Sequence, residues 1–186
     1  MRKLLMYAAI AFIVLIFVPS QAAADSMVNT VKLTSLYPTF TTPLAPSEVI
    51  AVGSSLSCPN ASIGLCLGTS SSIVYTIGTN SIDFTTNAIG TYSPASFNGY
   101  DFSGITFASG GSLIGFTLAT NIAGLTAEDV SFGPSDISIN LQGLSLTGPS
   151  SFFTLTPVPS PEPGVLTMLG GGLLGLAGLV RRRLAS

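Results

Sequence analysis

Few residues in this chain could carry out covalent or acid–base chemistry. The sequence contains no histidine and no tryptophan, which excludes imidazole general-base catalysis and the Ser–His and Cys–His pairs of hydrolases. Serine is abundant, yet no Gly-x-Ser-x-Gly nucleophile elbow occurs. Lys32 stands between Val31 and Leu33, a pattern typical of the solvated face of a strand rather than of a Schiff-base amine. The composition therefore argues against nucleophilic catalysis.

Carboxylates are the remaining candidates for a reactive site, because a pair of them can hydrolyse glycosides. The candidates are Asp101, Glu128, Asp129 and Asp136. Glu128 and Asp129 follow Thr126 in a helix-capping pattern, and Asp136 opens a strand-like segment, so structural roles are favoured. Together with Asp83, these residues could supply oxygen ligands to Ca²⁺, although no fixed-spacing calcium loop is present. We expect a protein that is not an enzyme and needs no cofactor, with calcium as an open alternative.

Cys58 and Cys66 are the only cysteines in the chain. They bracket a segment of turn-forming residues, and in an oxidising compartment this spacing predicts a disulfide that closes a short loop. A zinc site is not expected, since the chain offers no histidine and no further thiol. We expect no metal site at this pair.

The charge balance argues against partners with a high negative charge, such as nucleic acid and anionic lipid surfaces. Between Asp25 and Ser160 the chain carries seven acidic residues and a single lysine. Nucleic-acid binding requires clustered Lys or Arg to neutralise phosphates, and anionic lipid surfaces demand the same. We therefore expect no nucleic-acid partner.

The C-terminal stretch has three parts with separate physical roles. Pro161-Glu162-Pro163 is extended and cannot continue a helix. Gly164 to Val180 is a run of 17 uncharged residues, and as a helix it would be roughly 25 Å long, near the lower limit for crossing a bilayer. Arg181, Arg182 and Arg183 then stop the run and favour leaving that end in the cytoplasm. We predict a hydrophobic helix here that serves sorting.

Residues 158–186 closely resemble the PEP-CTERM sorting signal of exported bacterial proteins. The resemblance implies export, transient tethering in the inner membrane, recognition of the tail by an exosortase-type membrane protease, and removal of the tail. It also implies a Gram-negative cell that makes exopolysaccharide and forms biofilms. The alternative is an ordinary single-span anchor on a proline-rich stalk, in which Gly171 and Gly175 could pack two spans together.

The N-terminal stretch has the organisation of a secretory signal peptide. Arg2 and Lys3 precede an apolar region from Leu4 to Val18, and Ala22 and Ala24 present small residues at the −3 and −1 positions. This pattern predicts export through the secretion translocon and cleavage by signal peptidase before Asp25. We assign residues 1–24 to this signal, 25–157 to a passenger domain and 158–186 to the sorting signal.

The passenger segment has the sequence pattern of an all-β domain. Alternating apolar residues predict strands around Val31, Tyr75 and Ile139, and another strand at Glu48 to Val52. The pair Asn98-Gly99 predicts a tight hairpin turn, and Thr126 to Asp129 predicts about one turn of helix. Many short strands separated by Gly and Pro favour an antiparallel β-sandwich, jelly-roll-like, flanked by the two terminal signals.

Several segments between residues 97 and 156 resemble recurring segments of PEP-CTERM passenger domains, for which the resemblance implies no settled activity. We therefore expect a non-enzymatic surface or extracellular-matrix protein, located in the outer envelope or outside the cell after trimming. The alternative is a carbohydrate-binding module that takes exopolysaccharide, for which aromatic side chains would be needed. The tyrosines considered for this role are Tyr37, Tyr75, Tyr92 and Tyr100.

Overall fold

The computed structural model describes residues 25–67, 69–161, 170–173 and 175. Within these residues the chain forms short strands and two single-turn 3₁₀ helices, Gly64–Cys66 and Ala127–Asp129. The strands are β1 (Met27–Val28), β2 (Thr30–Leu36), β3 (Glu48–Ala51), β4 (Ser54–Cys58), β5 (Ile73–Ile77), β6 (Ile82–Thr86), β7 (Ile89–Thr91), β8 (Gly99–Ser103), β9 (Thr106–Phe107), β10 (Leu113–Thr120), β11 (Val130–Phe132), β12 (Asp136–Asn140), β13 (Ser145–Thr147) and β14 (Ser151–Pro159).

The strands form two five-stranded antiparallel sheets and two small two-stranded ones. One large sheet has the order β10-β14-β6-β5-β4, and the other has the order β11-β12-β8-β2-β3. The small sheets pair β1 with β9 and β7 with β13, also antiparallel. The expectation of an all-β, antiparallel protein is therefore confirmed for the described residues.

The strands form where apolar side chains alternate. In β2 the side chains of Val31 and Leu33 are fully buried while Lys32 between them is exposed, because successive side chains of a strand point to opposite faces. In β14 buried positions alternate with half-exposed ones from Ser151 to Pro157. Side chains of both large sheets enter one hydrophobic cluster.

Aromatic rings lie at the centre of that cluster. Phe84 of β6 stacks on Phe153 of β14, with ring centroids 4.8 Å apart. Tyr100 of β8, in the other large sheet, contacts both Tyr75 and Phe84, with centroids 5.3 and 5.7 Å away. These rings join the two sheets, and buried aromatic side chains contribute the largest apolar areas to a core.

The hairpin predicted at Asn98-Gly99 is wrong. Gly99 instead begins β8 and pairs with Asn140 on one side and with Leu36 on the other. A Cβ atom at Gly99 would lie 1.9 Å from the backbone oxygen of Ile139. This glycine allows the close approach of the neighbouring strand. Close approach of another backbone is a common reason for a glycine inside a strand.

The short helix predicted after Thr126 is confirmed as the 3₁₀ turn Ala127–Asp129. The Asp129 carboxylate accepts hydrogen bonds from the backbone N–H of Thr126, at 2.8 Å, and from its hydroxyl, at 3.1 Å. The backbone N–H of Asp129 in turn donates to the Thr126 carbonyl at 3.2 Å, so the two residues satisfy donors that the short turn would leave free. Strand β11 then begins directly at Val130.

Candidate functional site

The start of the described chain is fixed to one loop. This loop, residues 108–112, connects β9 to β10 and is called here the 108–112 loop. The carboxylate of Asp25 accepts hydrogen bonds from the backbone N–H of Ser109, at 3.1 Å, and from the Ser109 hydroxyl. The backbone N–H of Ala108 donates to the carbonyl of Ser26 at 2.9 Å. The predicted first residue after signal-peptide cleavage is thus part of the folded domain.

The end of β14 is fixed to the same loop. The backbone N–H of Ser160 donates to the carbonyl of Ser112 at 2.7 Å, and the Ser160 hydroxyl accepts from the Ser112 N–H at 3.0 Å. Gly111 allows this contact, because a Cβ atom there would lie 2.9 Å from the Ser160 carbonyl oxygen. Strand β14 itself continues to Pro159, two residues past the expected domain boundary.

Both ends of the domain therefore meet on five consecutive residues. The sequence Ala-Ser-Gly-Gly-Ser indicated only a turn, and it carried no signal for partners 84 and 48 residues away along the chain. Gly110 has φ of +76° and Gly111 makes the close contact with Ser160, so the two glycines have different roles. The sequence predicted a processing point near each end of the domain, but it did not predict the loop that binds both ends.

Most residues of the predicted sorting and cleavage sites lie outside the described residues. These are Ala22, Ala24, Glu162, Pro163, Arg181, Arg182 and Arg183. Pro161 is described, is exposed and belongs to no strand. Among the residues that the structure describes, no helix combines the length and apolar character needed to cross a membrane. Residues 170–173 and 175 are helical, and the rest of the predicted span lies outside the described residues.

The predicted disulfide between Cys58 and Cys66 is present, with Cα atoms 5.2 Å apart. Cys58 ends β4 and Cys66 ends the 3₁₀ turn that begins at Gly64. The backbone N–H of Gly64 also donates to the Glu48 carboxylate at 3.0 Å. The bridge and this hydrogen bond together hold the β4–β5 connection against β3.

The tyrosines do not form an exposed platform. Tyr75 and Tyr100 are buried, Tyr92 and Tyr37 are partly buried, and the hydroxyls of Tyr92 and Tyr100 lie 3.0 Å apart. Burial raises the pKa of Tyr75, Tyr92 and Tyr100 above the ordinary value of 10.0, and the nearby Tyr100 adds to the effect on Tyr75 and Tyr92. Three of the four tyrosines considered for sugar binding thus belong to the core.

Three of the candidate carboxylates, Asp83, Asp101 and Asp129, accept hydrogen bonds within the fold. Asp83 accepts hydrogen bonds from the hydroxyls of Ser81 and Thr154, both at 2.7 Å. Asp101 accepts from the buried hydroxyl of Ser138 at 2.8 Å, and Asp129 caps the 3₁₀ turn. Within the described ranges, no three carboxylate or cysteine side chains come together as a set that could hold a metal ion. The structure does not bring the considered calcium ligands to one place.

An open cleft of about 470 Å³ lies where β3 and β4 meet. These two strands are the sheet edges opposite β11 and β10. The polar lining of the cleft comes from Glu48, Asn60 and the serines of β4, and its apolar lining includes Ile50 and Ile63. Clefts of this volume can hold a small ligand. It offers hydroxyl, amide and carboxylate groups that could form hydrogen bonds with a ligand. Glu48 is the one carboxylate among the described residues of the lining, so the cleft does not present a pair of carboxylates for acid–base catalysis.

No family model matches the chain, and neither a curated protein nor a solved structure shows significant similarity to it. Its function must therefore be inferred from the placement of its own residues.

Proposed function

We propose that this chain is an exported, non-enzymatic surface or extracellular-matrix protein that is tethered transiently by a C-terminal sorting signal. The secretion translocon and signal peptidase handle its N-terminal end, and an exosortase-type membrane protease trims its C-terminal end. The observation that carries this proposal is the meeting of Asp25 and Ser160 on the 108–112 loop. The folded unit is fixed at its first and last residues, and each predicted processing point lies just outside it.

This placement fits a protein that is processed without being unfolded. Asp25 is held by its carboxylate, which cleavage before this residue leaves intact. Ser160 is held by hydrogen bonds to Ser112, and the exposed Pro161 follows it. A protease needs an extended segment that is free of the fold, and prolines keep the segment after Ser160 extended. We propose that the C-terminal cut falls shortly after Ser160, near Pro161-Glu162-Pro163.

We also propose that the two large sheets pack face to face as a jelly-roll-like β-sandwich. Contacts of Tyr100 in one sheet with Tyr75 and Phe84 in the other support this arrangement. So does the shared hydrophobic cluster, to which strands of both sheets contribute. A sandwich of this kind gives a matrix protein two broad polar faces and a core that needs no cofactor.

The sorting proposal is tested by two sets of variants in a host that carries the processing enzyme. Changing Arg181, Arg182 and Arg183 to glutamine should weaken retention, so that uncut precursor escapes or is misinserted, since these charges set orientation. Changing Pro161 and Pro163 to alanine should leave correctly oriented, uncut precursor in the membrane. Cell fractionation with immunodetection of the tail distinguishes the two results.

Matched controls are Lys32→Gln, which removes an exposed charge from β2, and Pro94→Ala, which removes a proline from an exposed loop. Both controls should be trimmed and released like the parent. If the tail variants also behave like the parent, the tail is not a specific sorting signal.

The second candidate function is carbohydrate binding, with exopolysaccharide as the ligand. The observation that favours it is the cleft between β3 and β4, whose serine, asparagine and glutamate side chains suit sugar hydroxyls. The burial of Tyr75 and Tyr100 counts against an aromatic platform. A glycan array with the exported protein tests this function: binding that is lost in Asn60→Ala would support it, and an array without binding leaves the matrix role ahead.

A further inference from the structure

Strand β10 is the longest free edge of the two large sheets. It spans eight residues, Leu113–Thr120, and among the residues that the structure describes it pairs with β14 alone. The other three edge strands are shorter. Strand β11 has three residues, β3 has four and includes the charged Glu48, and β4 has five and ends at the disulfide-bonded Cys58. Proteins protect edge strands by shortness, charge, proline or bulges. Apart from a register irregularity between Leu113 and Gly115, β10 has none of these protections.

The pairing with β14 shows which backbone groups of β10 face outward. Phe116 lies opposite Pro157, which has no N–H to donate. Hydrogen-bonded and non-hydrogen-bonded pairs alternate along an antiparallel ladder. Asn121, an odd number of residues after Phe116, donates its N–H to the carbonyl of Phe152 in β14, so the odd-numbered positions are the ones bonded to β14. By this alternation Thr117 and Ala119 bond to β14. The backbone N–H and C=O groups of Phe116 and Leu118 point to the free edge.

The side chains along this edge are apolar and incompletely covered. Ile114 is 54% exposed, and Phe116 and Leu118 are partly buried against the core. Phe132, at the end of β11, is 45% exposed and contacts the Phe116 ring, with centroids 5.7 Å apart. A strand added beside β10 would cover these side chains and pair the free backbone groups at once.

The distribution of charge identifies the partner. The domain has seven acidic residues and one lysine, so two copies repel each other over most of their surfaces. No charged residue occurs from 102 to 127 or from 137 to 161, the segments that contain β10 and β14. This edge is where two copies can approach without bringing carboxylates together.

We propose that β10 pairs antiparallel with β10 of a second copy of this chain, around a two-fold axis at Thr117. In this register Phe116 of one copy lies opposite Leu118 of the other, and both exchange N–H···O bonds. The apolar pair falls on the core side of the sheet, and the two exposed Thr117 side chains meet on the outer side. The β10-edged sheets of the two copies then form one continuous sheet of ten strands.

The experiment is sedimentation of the full chain in detergent micelles over a range of protein concentrations. The parent should form dimers as its concentration rises. Thr117→Lys and Thr117→Glu should each weaken dimerisation about tenfold or more, because like charges would face each other across the axis. A one-to-one mixture of these two variants should recover dimers, since opposite charges then meet.

The matched control is Thr85→Lys, on the outer face of the central strand β6, which adds the same exposed charge to the same sheet. It should dimerise like the parent. A parent that stays monomeric at high concentration would overturn the proposal and point to a different strand donor. Dimers that persist unchanged in both Thr117 variants would also overturn it, and they would place the contact elsewhere, for example between tails.

Discussion

At the scale of single residues, the buried tyrosines give the domain a response to alkaline pH. Burial raises the pKa of Tyr75, Tyr92 and Tyr100, so above about pH 10 they ionise in the unfolded chain before they ionise in the folded one. Their contribution to stability is fully present below the unfolded pKa. It is lost as pH rises from there toward the folded values, by about 1.4 kcal/mol per pH unit for each tyrosine.

Urea unfolding at a series of alkaline pH values checks this response. Tyr92→Phe removes one of the three groups and should reduce the slope of unfolding free energy against pH by about one third. An unfolding free energy that stays constant from about pH 9 to pH 11 would contradict the raised values.

Gly99 is the residue whose role the sequence pattern misassigned, and it gives a sharp test. In Gly99→Ala the new Cβ atom would lie 1.9 Å from the Ile139 carbonyl oxygen. Because that oxygen belongs to the backbone, β12 must move, and we expect a loss of about 3 kcal/mol of unfolding free energy. Gly148→Ala is the control, since nothing lies within 4 Å of its added Cβ. Equal stability of the two variants in urea unfolding would show that β12 does not approach β8 as described.

At the scale of elements, the 108–112 loop controls how firmly the end of β14 is held. Gly111→Ala should loosen Ser160, because the added Cβ would lie 2.9 Å from the Ser160 carbonyl oxygen. We expect the Ser160 amide to exchange its hydrogen about tenfold faster, corresponding to about 1.4 kcal/mol of lost local stability. Gly115→Ala, whose Cβ would make an ordinary 3.9 Å contact with Val158, should leave that exchange unchanged. Unaltered exchange in Gly111→Ala would mean that the loop does not hold the chain end.

The elements also show what a single sequence can predict. Strands with regular alternation, such as β2 and β5, were predictable because one face of each is buried. So was the capped turn before β11, whose signal is local. In β12 the polar Ser138 alternates with Ile137 and Ile139, yet it is buried as they are, with its hydroxyl donating to Asp101. That environment depends on the neighbouring strand, which local alternation does not reveal.

The chain ends mark a second limit of prediction. The sequence predicts processing points before Asp25 and near Pro161, since targeting signals are local patterns. It could not place both ends on one loop, because those contacts join residues far apart in the chain. The roles of Tyr75 and Tyr100 were likewise open until the opposite sheet supplied their neighbours.

At the scale of the whole molecule, the β domain lies between two terminal segments for which we propose removal during export. Asp25 and Ser160 are hydrogen-bonded to the same loop, so a precursor held at both ends would be attached to the membrane at one pole of the folded domain. The free edge of β10 follows directly after that loop in the chain. Tethered copies would therefore be concentrated on one surface, where weak edge pairing is favoured by effective concentration.

The most direct test of the central claim is the intact mass of the protein recovered from the outer envelope or medium of a host that carries the processing enzyme. We predict a chain that begins at Asp25, ends shortly after Ser160, and has Cys58 and Cys66 oxidised. A mature protein that still carries Arg181 to Arg183 would contradict it, because the C-terminal segment would then be a permanent anchor and not a sorting signal.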